Sequence, residues 1–202
     1  MSGLKECTEE EQDMLREIGN IGSGNAMTSL SMMLHIPFEL DVPECKVIPK
    51  SLAGQMLSKP QNLYAGVSLE MDGTVDCMLA LLLNEEFTEL ILHNLNEGAK
   101  ADVAQLTEEQ KSAIREVGNI MGNSYVTAVA SLTGREIDVS VPQIVVDTGE
   151  TILREFLSEY NDPSERFLFI NTSFRYRHKK LGNYMLLCPT EESLKNILQS
   201  LG

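Results

Sequence analysis

The sequence predicts an α+β protein made of two pseudo-twofold-related repeats, each a helix, three strands and a helix, which together form an antiparallel sheet flanked by helices. The first observation behind this prediction is an internal repeat. TEEEQDMLREIGNI, which starts at Thr8, returns as TEEQKSAIREVGNI from Thr107, 99 residues later (107 − 8). The second is that the register then holds without a gap as far as Val42-Pro43 and Val141-Pro142. Two copies indicate a duplicated unit and are too few for a solenoid.

Length and composition are those of a globular protein. The chain has 202 residues, of which 43% are hydrophobic, so it is long and apolar enough to bury a core. We therefore expect one domain over residues 1–202, made of repeats at about 8–98 and 107–202. The formal net charge of −14 opposes binding to nucleic acid and to anionic membranes, and it favours a protein partner with a basic surface.

Targeting and metal-binding signals are missing from the sequence. No stretch approaches the ~20 apolar residues of a membrane span, and the polar, acidic start differs from a signal peptide. The sequence therefore predicts a cytoplasmic protein. The four single cysteines (Cys7, Cys45, Cys77, Cys188) predict reduced thiols. Neither they nor the three histidines have the spacing of metal ligands, so no metal site is expected.

Each repeat opens with a predicted helix. In the first copy, apolar residues recur at helical spacing from Met14 onward. Thr8 followed by Glu11, and Thr107 followed by Gln110, have the form of a capping box, in which two side chains satisfy the free amides at a helix start. Both helices are therefore expected to begin directly after these threonines.

Three strands are predicted to follow in each repeat. The alternating segments 38–48 and 137–146 are typical of strands, and the proline inside each indicates an edge position or a break. In the first copy, Asp72-Gly73 separates two further strands and predicts a hairpin turn. In the second copy, a basic turn at 177–182 does the same, and strands joined by hairpins are antiparallel.

A helix is predicted to close each repeat, capped by Asn84 in the first and by Thr190 in the second. The second repeat also carries an insertion at 147–165, which we expect to form a short acidic helix and a loop. Residues 59–62 occupy the corresponding, less elaborate point of the first repeat. The stretch 98–106 is predicted to link the two repeats.

The best-matched part of the repeat places a polar strip on each opening helix. Glutamate and asparagine three residues apart lie on one helix face, with a third polar residue one turn earlier. The strips are Asp13-Glu17-Asn20 and Ser112-Glu116-Asn119. An ordinary solvated face is the alternative interpretation. Both copies, however, keep a mid-helix asparagine and a neighbouring glycine (Gly19, Gly118), and the glycine costs roughly 1 kcal/mol. We expect another backbone or a partner to approach closely at these glycines.

The residues near the strips exclude several kinds of catalysis. No Ser-His or Cys-His arrangement is evident, which disfavours a covalent intermediate. The glycines at 19, 22 and 24 fit neither the dinucleotide nor the P-loop pattern. The remaining interpretation is that the carboxamide positions a water in line with a phosphoryl group, a reaction that needs mainly positioning and charge neutralisation. The neighbouring glutamate can pair with a partner's lysine. A partner must then supply the phosphoryl group and its metal.

The doubled pattern [Asp/Ser]-x-x-x-Glu-x-x-Asn, in DMLREIGNIGSGNA and SAIREVGNIMGNSY, resembles the CheC/CheX/FliY family of chemotaxis phosphatases, and is most similar to its CheC members. This resemblance covers essentially the whole chain. It implies hydrolysis of the aspartyl phosphate of the response regulator CheY, with Mg²⁺ bound in CheY and no cofactor in this chain. It implies that Asn20 and Asn119 orient the attacking water and that Glu17 and Glu116 contact the active-site lysine of CheY. Asp13 and Ser112 match the variable first position of the pattern.

The resemblance also implies a second partner, the receptor deamidase CheD. Its contact is expected around the helix that follows the first strand of the second repeat, at Asp147 and Glu150 inside the insertion. Two alternative functions stay open. One is a CheD-binding regulatory module with little phosphatase activity, and the other is a structural component of the flagellar switch.

Overall fold

Helix, strands and helix follow one another in both repeats, as predicted. The computed structural model describes residues 8–57, 59–73, 75–95, 102–159 and 166–200. The first repeat contains α1 (Glu9–Leu34), β1 (Glu39–Leu40), β2 (Glu44–Pro49), a 3₁₀ segment (Lys50–Gln55), β3 (Leu63–Gly73), β4 (Cys77–Asn84) and α2 (Glu85–Leu95). After a 3₁₀ turn (Val103–Gln105), the second contains α3 (Glu108–Thr133), β5 (Ile137–Val139), β6 (Gln143–Thr148), α4 (Gly149–Glu159), β7 (Arg166–Tyr176), β8 (Lys179–Pro189) and α5 (Glu191–Ser200). The predicted fold class is confirmed.

The two repeats share one antiparallel sheet. Its order is β1-β7-β8-β4-β3-β5, with β2 also paired to β7 and β6 also paired to β3. One strand of each repeat meets at the centre, where Leu81 of β4 lies opposite Met185 of β8. The first strand of each repeat pairs with the hairpin of the other repeat, since β2 pairs with β7 and β6 with β3. Each repeat therefore completes the sheet of its counterpart.

The predicted effect of the two prolines is confirmed. Each alternating segment is interrupted, at 41–43 and at 140–142, and Pro43 and Pro142 lie in the interruptions. Both interrupted strands lie at the edges of the sheet. A proline has no amide hydrogen to donate to a neighbouring strand, so the ladder pauses where it occurs.

The first hairpin turn lies later than predicted. Asp72 and Gly73 belong to β3, where they pair with Asp138 and Ile137 of β5, and Gly73 has a φ of 111°. The ladder with the other repeat therefore extends β3 past the local turn signal. The predicted basic turn is shorter than expected, because β8 begins at Lys179 and only two residues, 177 and 178, form the turn.

Most of the predicted helix caps are confirmed. The amide of Phe87 donates to Asn84 Oδ1 at 2.9 Å, and the amide of Ser193 donates to Thr190 Oγ1 at 3.1 Å. Thr107 and Gln110 form the reciprocal capping box. The side chain of Glu11, residues 98–101 of the predicted linker and the loop 160–165 lie outside the described residues. The predicted helix of the insertion is present as α4.

Side chains pack on both faces of the sheet. Helices α1, α2, α3 and α5 cover one face, and the larger core lies beneath them, with Leu30, Leu81 and Tyr125 completely buried. Helix α4 and the 3₁₀ segment Lys50–Gln55 cover the other face, where Ile152 is completely buried. Burying each such side chain contributes about 1.5–3 kcal/mol relative to leaving it in water. The two faces of the sheet therefore hold two separate cores.

Helices α1 and α3 pack together through residues of unequal size. The repeat offset matches Gly22 of α1 to Met121 of α3 and Ala26 to Tyr125. A Cβ added at Gly22 would overlap the ring of Tyr125, so the small residue makes room for the large one. The Tyr125 hydroxyl shares a hydrogen bond of 2.8 Å with the buried Ser23 hydroxyl, which satisfies both polar groups inside the core.

Candidate active site

Both polar strips lie on the solvent-facing sides of α1 and α3. The opposite sides of the helices are buried, since Ile18 is 1% exposed and Val117 is 0% exposed. This arrangement follows from the helical spacing of apolar and polar residues. Five of the six predicted strip residues are exposed and the sixth, Asn119, is half-buried: Asp13, Glu17, Asn20, Ser112, Glu116 and Asn119. Each strip is therefore accessible to a docked protein.

The glycines beside the asparagines lie against the sheet of the same chain. A Cβ added at Gly19 would overlap Cys45 Sγ of β2, and one added at Gly118 would lie 2.6 Å from Val67 of β3. A close approach does occur at these glycines, but side chains of the sheet make it, and neither a second backbone nor a docked partner was needed to explain it. These contacts fix how far each helix stands above the sheet, and with it the height of the adjacent asparagine.

A side chain that the sequence analysis missed holds the second asparagine. Asn123 Nδ2 donates to Asn119 Oδ1 at 2.9 Å and to the Asn119 carbonyl oxygen at 2.8 Å. Asn123 lies one turn after Asn119 on α3, a spacing that could have been read from the sequence. In the first repeat the matching residue is Gly24, which has no side chain. The two strips therefore differ in how their carboxamides are held.

The arginines that precede the two glutamates also differ between the strips. Arg16 Nη1 lies 2.6 Å from Asp13 Oδ1, and both side chains are exposed, so the pair contributes at most about 1 kcal/mol to stability. Ser112 replaces this aspartate in the second strip, next to the matching Arg115. The first position of the strip therefore decides whether the arginine has a carboxylate three residues before it.

An open groove of about 740 Å³ runs along the second strip. One wall consists of α3, with Ser112, Glu116 and Asn119, and includes Arg115. The rest comes from both repeats: the ends of α1 and α2, and the interrupted edge strand with its Val141-Pro142. The groove brings an amide, a carboxylate and a guanidinium together at an open surface. Arg115 and Val141 were not singled out as site residues from the sequence, although both repeat at the same offset.

The two residues predicted to bind a second partner lie away from the strips. Asp147 is half-buried in β6, and its Oδ1 accepts a hydrogen bond of 2.6 Å from the amide of Thr148. Glu150 is exposed in the first turn of α4 and accepts a hydrogen bond from Gln61 Nε2. Because α4 packs on the other face of the sheet, these residues cannot join either strip.

The rest of the described chain offers little further chemistry. Within the residues that the structure describes, no group of three or more His, Cys, Asp or Glu side chains is arranged to hold a metal ion. In that same part of the chain, no helix is both long and apolar enough to cross a membrane. Burial raises the pKa of the Cys45 thiol to about 11, which keeps it protonated beneath the first strip at neutral pH.

Comparisons with known proteins match the same stretches of sequence. A family model described as the CheC-like family matches residues 10–47 and 109–146, two segments separated by the offset of the repeat. The chain is 28% identical over 206 residues to the CheY-P phosphatase CheC of Bacillus subtilis strain 168, covering 100% of this chain and 99% of that protein. It is 30% identical over 145 residues to the flagellar motor switch phosphatase FliY of the same organism, covering 70% of this chain and 37% of that protein.

The fold is also similar to a solved structure. The crystal structure of Thermotoga maritima FliY superposes with a TM-score of 0.78 at 23% identity, covering 96% of this chain and 97% of that one. At this level of identity the likeness extends to the fold: a sheet shared by two repeats, with helices on its faces.

Proposed function

Because the chain belongs to the CheC-like family, we propose that it is a phosphatase that hydrolyses the aspartyl phosphate of the response regulator CheY and so ends its signal. One observation carries the proposal: a glutamate and an asparagine share one exposed helix turn, and the arrangement occurs twice. The full-length similarity to a protein named as a CheY-P phosphatase supports the same substrate.

The proposed reaction uses a water as the nucleophile. The carboxamides of Asn20 and Asn119 can each donate to and accept from one water, and so hold it in line with the phosphorus atom. The water oxygen bonds to phosphorus, the bond between phosphorus and the aspartyl oxygen breaks, and inorganic phosphate and a free carboxylate result. CheY supplies the phosphoryl group and the Mg²⁺ that neutralises it. This chain contributes positioning, which is a large part of what phosphoryl transfer requires.

The glutamates take a docking role in this proposal. Glu17 and Glu116 are exposed one turn before the asparagines. A carboxylate in this place can form a charge-assisted hydrogen bond with a lysine near the phosphorylated residue of CheY. Such a bond fixes the docked orientation and leaves the water to the amide. Loss of the glutamate should therefore weaken binding of CheY more than it slows the bound reaction.

CheD is the second proposed partner, and we place its contact at α4, around Asp147 and Glu150. This helix lies on the face of the sheet opposite to α1 and α3. CheY and CheD would therefore not compete for one surface, and a complex with both is sterically reasonable. The proposed place of action is the cytoplasm, in keeping with the similarity to a CheY-P phosphatase.

The decisive experiment measures the decay of phosphorylated CheY with and without this protein. The wild-type chain should speed the decay, and the double variant Asn20→Ala, Asn119→Ala should lose about 10²-fold or more of that effect, as removal of a positioned catalytic donor does elsewhere. The matched control is Thr28→Ala with Thr127→Ala, which changes exposed threonines that also repeat on α1 and α3.

Three results would contradict the proposal in different ways. Full activity in the double variant would show that the asparagines do not position the water. A wild-type chain that binds CheD but leaves CheY phosphorylated would favour the regulatory-module alternative. A chain that binds neither but associates with the flagellar switch would favour the structural alternative.

A further inference from the structure

One exposed apolar side chain occurs at the same place in both repeats. Val42 is 90% exposed and Val141 is 81% exposed, and they are 99 residues apart. The other large apolar residues exposed in the described chain are Met32 and Leu52. Met32 has the polar counterpart Ser131, and Leu52 lies beyond the ungapped part of the repeat, in the 3₁₀ segment after β2. Among the described residues, Val42 and Val141 are therefore the one pair of matching positions at which both repeats expose a large apolar side chain.

The backbone around each valine is held in place. Before Val42, the amide of Asp41 donates to the Ser173 carbonyl at 3.0 Å, and the Asp41 carboxylate pairs with Arg175 at 2.8 Å. Val42 is followed by a proline, which restricts it to extended conformations, and its branched side chain has few rotamers. This valine is therefore presented by a fixed segment of the edge strand.

The second repeat holds its valine in a similar way. The amide of Ser140 donates to the Glu70 carbonyl at 2.9 Å, and the Ser140 hydroxyl accepts from the Glu70 amide at 2.9 Å. Val141 is also followed by a proline. A side chain that is already ordered loses little conformational freedom when a partner covers it, which favours its use in binding.

Val141 lies beside the second polar strip. Val141 lines the same groove as Glu116 and Asn119, so a protein that brings a phosphoryl group to Asn119 must also cover Val141. In the first repeat, Pro43 separates Val42 from β2, and β2 packs beneath α1, where Cys45 lies against Gly19. Since Val42 matches Val141 at the 99-residue offset, we expect it to lie beside the first strip in the same way.

We propose that Val42 and Val141 are docking contacts, one for each strip, for the phosphorylated response regulator. The inference rests on the proposed function and adds how the substrate protein is recognised. The rim of the second groove also carries the carboxylates Glu109 and Glu116, which complement a basic partner surface. The partner patch that fits is therefore an apolar contact flanked by a cationic side chain, close to the phosphorylated aspartate.

The test isolates one strip at a time. In an Asn20→Ala background only the second strip can act. Val141→Ser should then raise KM for phosphorylated CheY roughly tenfold and leave kcat unchanged. The reason is that the lost apolar contact stabilises the bound substrate and the transition state equally. In an Asn119→Ala background the same change at Val42 should have this effect. Each valine should matter mainly when its own strip is the active one.

Matched controls separate docking from folding. Leu52→Thr removes an exposed apolar side chain from the 3₁₀ segment on the other face of the sheet, and it should leave KM unchanged. Val141→Thr keeps nearly the same shape and should raise KM less than Val141→Ser does, while circular dichroism and Tm report whether each variant is folded. Affinity for CheY carrying beryllofluoride, measured by calorimetric titration, should fall in parallel with the rise in KM.

The outcomes distinguish the inference from the function on which it rests. If neither single-strip background speeds the decay of phosphorylated CheY, the proposed function itself fails. If both backgrounds are active but the valine substitutions behave like Leu52→Thr, the docking inference is wrong and the function stands. A fall in kcat at constant KM would equally overturn it, since the valine would then act on the chemical step.

Discussion

The side-chain nitrogen of Asn123 donates a hydrogen bond to the carboxamide oxygen of Asn119 at 2.9 Å, and glycine occupies the equivalent position in the first repeat. The carboxamide of Asn119 is thus held in one orientation, whereas Asn20 lacks a side chain at this position to hold it. If the carboxamide must have a fixed orientation to position the attacking water, the second strip should catalyse the reaction faster than the first.

Exchanging the residues at positions 24 and 123 should reverse which of the two strips hydrolyses the phosphate faster. Asn123→Gly, tested in an Asn20→Ala background, should lower kcat by about two- to tenfold, the range that one neutral hydrogen bond is worth. Gly24→Asn, tested in an Asn119→Ala background, should raise kcat by a similar factor, because no atom beyond the local helix backbone and the two chain neighbours lies within 4 Å of a Cβ at this glycine. Single-turnover decay of phosphorylated CheY gives the rate directly. Unchanged rates in both variants would show that the hydrogen bond does not prepare the amide.

The contact between Gly19 and Cys45 predicts that Gly19→Ala destabilises the protein, whereas Gly→Ala usually stabilises an exposed helix. In an exposed helix, Gly→Ala stabilises by up to about 1 kcal/mol. Here the added methyl group would overlap Cys45 Sγ, and overpacking costs about 1–3 kcal/mol. Gly19→Ala should therefore lower the free energy of unfolding in the wild-type chain.

The same substitution in a Cys45→Ala background should raise the free energy of unfolding, because the obstructing sulfur is gone. Urea unfolding of the four proteins of this double-mutant cycle measures the coupling between the two residues. Equal effects of Gly19→Ala in the two backgrounds would mean that the helix shifts to avoid the contact. Gly118→Ala, which would approach Val67, offers an independent comparison in the other repeat.

Alkaline pH should destabilise the protein through its buried acids. Burial raises the pKa of Tyr125 to about 12 from an ordinary value of 10.0, and that of Cys188 to about 12 from 9.0. The folded state keeps these protons after the unfolded state has released them. Stability should therefore be unaffected below about pH 9 and fall as the pH rises toward 12.

Tyr125→Phe isolates one of these two contributions. The variant should lose about 0.5–1.5 kcal/mol at pH 7, because the hydrogen bond with Ser23 is gone. Its stability should fall less steeply than that of the wild type between pH 10 and 12, the interval between the unfolded and folded pKa values of Tyr125. Urea unfolding at pH 7, 9, 10 and 11 would give both quantities. Parallel curves for the two proteins would exclude Tyr125 as a source of the pH dependence.

The residue at the start of each strip should tune the salt dependence of substrate binding. Asp13 neutralises Arg16 in the first strip, and Ser112 leaves Arg115 without a carboxylate at that position. Ser112→Asp should raise KM for phosphorylated CheY a few-fold at low ionic strength, since a guanidinium that attracts the phosphoryl anion is neutralised. Asp13→Ser should lower KM in the first strip. Both effects should shrink at about 0.5 M salt because exposed charges are screened, and a difference that persists there would point to a structural cause.

Local signals in the sequence were enough to predict the repeat, the elements and the position of the strips. The capping box at Thr107 and the cap at Asn84 mark helix starts through contacts within a few residues, and such contacts can be read directly from the sequence. The turn at Asp72-Gly73 was misplaced because β5, 65 residues further along (137 − 72), extends the ladder. A pairing between strands so far apart in the sequence produces no signal in the residues around the turn.

The parts of the site that the sequence did not predict are those set by packing. That Gly19 meets Cys45 depends on how a helix lies over a strand of its own repeat, and no pattern in either segment encodes it. The exposure of Val141 likewise follows from its place in a broken edge strand. The contact of Asn123 with Asn119 is different, because its one-turn spacing is visible in the sequence. The catalytic roles and the CheD contact stay predictions until they are measured.

The exchange of edge strands between the repeats has a consequence for biosynthesis. Glu44 pairs with Asn171, so β2 leaves the ribosome 127 residues (171 − 44) before its partner strand has been made. Until then the nascent first half carries strands whose backbone groups have no neighbour, and such edges pair readily with other chains. Folding of this protein should therefore finish only after the last hairpin has been translated, and ribosome-associated chaperones would have most to protect during that interval.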